Sequence, residues 1–458
     1  MAVDKTALPT AASGVIRQLS ACRLLLAIAL ASSLVLADGM VFGYDPDMRR
    51  WSLQQEESQL CLINYEHGIE KMLVSVALSN LRGARAAWVI PIPSRPDSAA
   101  IDIVKGFPPL AGTNVLERSN RVVNETFTWM SYTQLYSILF LRGLEREAEF
   151  GVDAGYYGES RDVSVYEHRE AMGLTAEVVT AQHPGAIVGY LAEKGVELPD
   201  NARQVLDTYR QDSFSFVVTW ISDSSAFMRE SMDGLKPQDL TPAIGISVAF
   251  PTRRAYFPLR PTSVYGRAEV PIDLYFIGHR MPTTYRKADP VEAPAYVSYY
   301  TQEDYLVPAA LRTFFNGKDY IKRLDYTRIE IRTQSNRLKK VLWFGSGPPL
   351  DVALARLLND CQFIWVPLIF LLCSCAASLI AKVITLKRFH FRFLRQAGFG
   401  LWNCLGLVGI LVAVSSPEIL PPNAGTGRRA LFVVLFTVLF QTLLAAFYLA
   451  VRAVIGAG

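Results

Sequence analysis

Residues 361–381 read CQFIWVPLIFLLCSCAASLIA, a stretch with no Asp, Glu, Lys or Arg. A helix needs about 20 such residues to cross the hydrocarbon of a bilayer, and a charge at its middle costs roughly 2.5–3.5 kcal/mol. Residues 397–415 and 430–451 are equally uncharged, and no acid occurs between Asp360 and Glu418. The tail 361–458 is therefore expected to be a membrane anchor of three transmembrane α-helices, at 361–381, 397–415 and 430–451, whose partner is the lipid bilayer. Pro367, Asn403 and Gln441 interrupt these spans. They suit a mild kink or helix–helix hydrogen bonding and offer no ionisable path for transport.

The connector between the first two spans holds Lys382, Lys387, Arg388, Arg392 and Arg395 without an acid. Short basic loops stay in the cytoplasm. Residues 417–429 are then expected to face outward, Arg452 to return to the cytoplasmic side, and everything before Cys361 to lie outside the cytoplasm. The N-terminus asks for the same placement. Lys5, Arg17 and Arg23 precede an apolar run from Leu24 to Leu36, and Ala37 offers a small residue for cleavage. Residues 1–37 read as a signal peptide, with an uncleaved signal anchor as the alternative. Cys22 precedes the apolar run, which argues against a lipid attachment there.

Half of the 458 residues are hydrophobic, and the formal net charge is only +4. No basic stripe interleaved with aromatics occurs, so nucleic acid is not an expected partner. The six cysteines are Cys22, Cys61, Cys361, Cys373, Cys375 and Cys404. This distribution excludes a disulfide framework and leaves Cys61–Cys361 as the one arithmetically possible bridge outside the leader and spans.

Residues 38–345 are expected to form a water-soluble extracytoplasmic α+β domain, with a mixed or antiparallel sheet and a few helices. Gln59–Tyr65 and Lys71–Leu78 read as strands around a Glu66-His67-Gly68 turn. Ala86–Ile90 runs into Pro91-Ile92-Pro93-Ser94-Arg95-Pro96. Proline lacks the ladder donor, so this strand belongs at a sheet edge or in an extended segment. Asn114–Leu141 reads as a helix with Trp129, Tyr132, Tyr136 and Leu139 on one face. Residues 145–162 read as a polar loop. Further strands are expected at Val163–His168, Thr175–Thr180, Phe214–Ile221, Ile244–Phe250, Val270–Gly278, Arg328–Arg332 and Lys339–Phe344. One helix ends at Gly195, a second opens at Asp200, and a short one is expected at Pro308–Phe315. Residues 346–360, opening with Ser346-Gly347-Pro348-Pro349, read as a linker.

The run Trp88-Val89-Ile90-Pro91-Ile92-Pro93-Ser94, with Pro96, resembles the tryptophan–proline stretch of a bacterial domain family of unknown function, number 2330. Leu198-Pro199, Phe216-Val217, Phe250-Pro251, Tyr256 with Pro258-Leu259-Arg260, and Leu274-Tyr275 before His279-Arg280 are similar to its later blocks. The likeness covers most of residues 38–335. It implies a secreted or membrane-tethered bacterial envelope domain and carries no catalytic residues, because the family has no established activity.

Chemistry-bearing motifs are sparse. The domain has four histidines, His67, His168, His183 and His279, without metal-ligand spacing. There is no Gly-x-Ser-x-Gly elbow and no phosphate loop. Cys61 lies mid-strand, where a thiol is buried and inert. No catalytic, cofactor-binding or metal-ligating residue is assigned, and no cofactor is expected. The reading is a membrane-anchored, non-enzymatic binding or scaffolding module with other envelope or membrane proteins as partners. The alternative is an extracytoplasmic hydrolase whose acids and histidines converge only on folding.

Overall fold

The computed structural model of the chain describes residues 40–45, 49–53, 59–75, 85–134, 168–180, 185–232, 244–283, 295–386 and 425–456. In chain order come β1 (Met40–Asp45), β2 (Arg50–Leu53), β3 (Gln59–Glu66), β4 (Ile69–Ser75), β5 (Ala86–Ile92), β6 (Ala100–Lys105) and β7 (Thr113–Asn114), which enters helix α1 (Val115–Gln134). Next are β8 (His168–Ala171), β9 (Leu174–Thr180), α2 (Ala186–Glu193), α3 (Asp200–Gln211), β10 (Ser215–Ile221) and α4 (Ser224–Met232). Then follow β11 (Ile244–Pro251), β12 (Tyr256–Phe257), β13 (Ile272–Ile277), β14 (Ala295–Leu306), β15 (Tyr320–Ile331) and β16 (Leu342–Trp343). The chain closes with α5 (Leu350–Asp360), α6 (Gln362–Leu386) and α7 (Thr426–Gly456). The signal peptide expected at 1–37 and the span expected at 397–415 lie outside the described residues.

The strands build a mixed α+β domain of two facing sheets. One has the order β2-β1-β5-β10-β9-β8, and the other β6-β11-β4-β3-β13-β15-β14-β7. Most neighbours are antiparallel; β3 and β13 run parallel. The alternation of Cys61 and Ile63 in β3, and of Met72 and Val74 in β4, points these side chains into the space between the sheets. There they meet Trp88, Ile90 and Val217. The outer face of the first sheet is covered by Ile187 and Leu191 of α2 and by Ala202, Leu206 and Tyr209 of α3. The β3–β4 turn forms as expected, with His67 and Gly68 both at positive φ.

Two sequence expectations change. The proline-bearing strand is interior, because β5 pairs with β1 on one side and β10 on the other. Pro91 stands opposite Phe216, yet its carbonyl accepts from Tyr256 Oη at 2.9 Å. N–H and C=O of one strand residue point the same way, so the missing donor faces away from β10. The stretch read as a linker, 346–360, holds the eleven-residue helix α5. Pro348 and Pro349 precede a helix rather than an extended tether, since proline fits the first turn, where donors are spare. Cys61 and Cys361 are both free thiols.

Glu70 shares the inward face of β4 with Met72 and Val74 and is fully buried. Its Oε2 accepts from the Tyr256 backbone N–H at 3.0 Å, and Oε1 has no partner among the described residues. Burial raises this carboxyl well above its ordinary 4.5, with the Tyr256 donor pulling the other way. The folded chain thus keeps the proton to a higher pH than the unfolded chain does. Stability linked to Glu70 is intact below pH 4.5 and is lost as pH rises through the folded value. Glu70→Gln retains an acceptor for Tyr256 and cannot ionise. Its melting temperature, followed by circular dichroism, should exceed that of the native protein by a margin that widens as pH rises above 4.5; parallel curves would refute this assignment.

Candidate functional site

Where the eight-stranded sheet meets the C-terminal helices, charged and apolar groups converge from distant parts of the chain. Asp325 of β15 accepts from Thr301 Oγ1 of β14 at 2.7 Å and from Arg323 Nε at 3.3 Å. Its other oxygen pairs with Arg356 Nη2 of α5 at 3.1 Å. Arg323 reaches on to Asp360 at the end of α5, with Nη1 to Oδ2 at 2.8 Å. Beneath these pairs, Val115 of α1, Tyr299 of β14, and Val352 and Ala355 of α5 form one apolar cluster. Helix α5 is therefore clamped to the sheet by both charge and packing.

His279 backs this cluster. Its Nε2–H donates to the Tyr300 carbonyl at 2.9 Å and lies 3.9 Å from Asp325. Burial holds the imidazole below its ordinary pKa, against the opposing influence of that hydrogen bond and of Asp325. Nδ1 has no partner among the described residues. The neighbouring Arg280 is occupied elsewhere, donating through Nη1 to the Gly345 carbonyl at 3.2 Å.

A second layer joins α1 to the long helices. Asn124 Oδ1 accepts from Tyr448 Oη at 2.9 Å and from Arg452 Nη1 at 3.0 Å, both on α7. Gln362 Nε2, at the start of α6, donates to Thr126 Oγ1 at 2.8 Å. Val123 and Phe127 pack among Leu358, Trp365 and Tyr448. The Trp365 indole donates to the Leu358 carbonyl at 2.9 Å and so satisfies one of the spare acceptors at the end of α5. Along the helices, Trp365 faces Phe447 and Phe370 faces Phe440. Rising numbers on α6 meet falling numbers on α7, so the two run antiparallel. Three successive crossings would have set these two helices parallel, with Arg452 across the membrane from the domain. Instead, Arg452 lies at the domain end, because Asn124 binds it there.

The chemistry read from sequence is dispersed. His67 sits in the β3–β4 turn, and His183 lies outside the described residues. His168 bridges Glu177 at 2.8 Å and Glu170 at 3.1 Å, and these partners raise its pKa, Glu177 foremost. The Tyr190 hydroxyl also donates to Glu177, and Lys194 stands 3.9 Å from it. This cluster lies on an exposed edge, where each carboxylate is matched by a donor, and no nucleophile stands poised beside a base. Arg260 of the loop weighed for recognition stacks over Tyr209 and pairs with Asp212 at 3.5 Å, a structural role. The side chains of Trp129 and Tyr132 lie outside the described residues. Asn124, Asp325 and Arg356 carry no local signal that sequence reasoning uses. Each is an ordinary polar residue until its distant partner arrives.

Asn124→Ala strips two donors of a shared acceptor and is expected to cost about 1–3 kcal/mol. Asp325→Asn should release α5 and accelerate amide exchange there. Thermal unfolding and hydrogen exchange of the detergent-solubilised chain measure both effects; unchanged α5 protection in the Asp325 variant would dismiss the clamp. A family model described as an uncharacterized protein conserved in bacteria, domain of unknown function 2330, matches residues 49–333. The matched stretch runs from β2 to β15 and stops before α5. No curated protein and no solved structure matches the chain. With more than half of its length matched, and matched across nearly the whole sandwich, the chain belongs to the domain of unknown function 2330 family of uncharacterized bacterial proteins.

Proposed function

We propose that this protein is a membrane-anchored module of the bacterial envelope, holding its sandwich outside the cytoplasm to bind or scaffold other envelope proteins without catalysing a reaction. The observation that carries the anchoring is the outer surface of α6 and α7. Both are long and apolar enough to cross a bilayer, and less than a third of each span is buried against protein. The side chains left uncovered are Phe363, Ile364 and Leu372 on α6, and Leu431, Val434 and Val438 on α7. A helix on a water-soluble protein turns polar residues outward; one that is apolar on every side needs lipid or more protein. Between Arg429 and Arg452, α7 has 22 uncharged residues, about 33 Å of helix and enough for the hydrocarbon layer.

The antiparallel pairing supports a definite orientation. The end of α6 and the start of α7 lie together, away from the sandwich. Lys387 and Arg388 directly follow the first, and Arg428 and Arg429 open the second. Basic residues at that end favour the cytoplasm, which leaves the sandwich, Trp365, Tyr448 and Arg452 at the opposite face, where interfacial aromatics are preferred. A signal sequence at 1–37, as expected from Lys5, Arg17, Arg23 and the apolar run Leu24–Leu36, would fit the same reading.

In spheroplasts, a protease tag placed after Gly458 is expected to be cleaved from outside together with the sandwich. A tag inserted beside Gly425 should survive until the membrane is opened. The reverse pattern would refute the orientation, and release of the chain by alkaline carbonate would refute the anchoring itself.

A further inference from the structure

Among the described strands β2 is the edge of its sheet, and the register decides which of its backbone groups are used. Tyr44 N–H donates to the Arg85 carbonyl at 3.0 Å, so the polar groups of Tyr44, and of Phe42 two residues before it, point toward β5. Opposite residues of an antiparallel pair share this alternation. Trp51 stands opposite Tyr44 and Leu53 opposite Phe42, so the N–H and C=O groups of Trp51 and Leu53 point away from β1. No described strand meets them there. Val41, whose N–H faces β2 beyond its last residue, donates instead to Tyr265 Oη at 3.0 Å. Tyr265 therefore closes the ladder where β2 stops.

A cleft of about 600 Å³ opens beside this edge, with the apolar Trp51, Leu53, Leu198 and Val264 in its lining and three charged residues, Arg50, Arg203 and Glu197. The cleft is open to solvent, larger than the packing gaps of a core, and carries polar Ser52, Glu197 and Asn201 beside its apolar residues. Trp51 and Leu53 are only half-buried, on the face shared with α2 and α3. Arg203 is engaged by the Leu198 carbonyl at 2.9 Å and by Asp200 at 3.6 Å. Arg50 is exposed and has no ion pair among the described residues.

We propose that β2 and this cleft receive an extended peptide segment of a partner protein, added as a further strand. The partner backbone pairs with Trp51 and Leu53, its alternate side chains are apolar and enter the cleft, and an acidic residue answers Arg50. Strand addition takes affinity from main-chain hydrogen bonds and specificity from side-chain pockets. A four-residue edge is too short to invite open-ended aggregation, yet it presents one outward pair of residues for local pairing. The inference rests on the binding-module reading and not on the membrane orientation, so the two fail separately.

The test is a random heptapeptide display selected on the full chain in lipid nanodiscs, followed by anisotropy titration of the retrieved peptides. Apolar–polar alternation with an acid is expected. Leu53→Pro, which leaves the β1 ladder intact because the Leu53 N–H faces outward, should weaken binding at least tenfold. Arg50→Glu should weaken acidic peptides and favour their lysine-substituted versions. Should Leu53→Pro fail to fold, N-methylation along the peptide decides on the native chain: alternate amides must be sensitive and the intervening ones tolerant. Retrieval of no peptide, or of peptides indifferent to both Leu53→Pro and N-methylation, would overturn the proposal. So would a change only in self-association, which would assign the edge to a second copy of the chain.

Discussion

Asn124 offers one carbonyl oxygen to two donors of α7, Tyr448 and Arg452, and this shared acceptor fixes which end of the helix meets the sandwich. An Arg at the boundary of an apolar helix must find water or an acceptor, because an unsatisfied guanidinium in hydrocarbon is costly. With Asn124 supplying the acceptor on the domain side, Arg428 and Arg429 at the start of α7 stand at the far end. Stacking of the Arg452 guanidinium toward the Tyr448 ring, 5.9 Å away, reinforces the arrangement. The apolar packing of α6 on α7, the seating of Trp365 and the clamp on α5 act together with that contact.

The sandwich reaches the helices through α5 rather than through a slack tether. Arg356 and Arg323 connect α5 to Asp325 and Asp360, and Val352 and Ala355 close the apolar side of the contact. Such half-exposed ion pairs contribute little one at a time. Their joint effect is to orient the domain, since tilting α5 would break both pairs and open the cluster under Tyr299. A motion of the sandwich is thus transmitted to α6, whose Gln362 and Trp365 are tied to α1 and α5.

Legibility differed by the kind of interaction. Strands buried on both faces, such as β3, β4 and β10, announced themselves as short, largely apolar runs. β14 did not: Ala295–Leu306 buries Ala295, Tyr299, Thr301 and Tyr305 among polar neighbours, so its strand character rests on pairing with β15. Pro91 misled because the local rule concerns a donor, and only the sheet's register shows that no donor was needed at that position. The linker reading failed similarly. Ser346-Gly347-Pro348-Pro349 does break the chain, but Leu350–Asp360 has an apolar stripe that becomes meaningful once Val115 and Tyr299 cover it.

The sequence by itself determined the α+β character of the body and the long apolar helices of the tail, and its own blocks pointed to the family. Those properties come from composition and short-range periodicity, which act through solvation and need no partner. Only the tertiary structure decided that α6 and α7 are antiparallel, that Arg452 returns to the domain, that a glutamate is sealed inside the core, and that Trp51 and Leu53 leave their backbone groups facing outward. Each of these depends on residues tens to hundreds of positions apart meeting at hydrogen-bond distance, and such meetings leave no trace in local spacing.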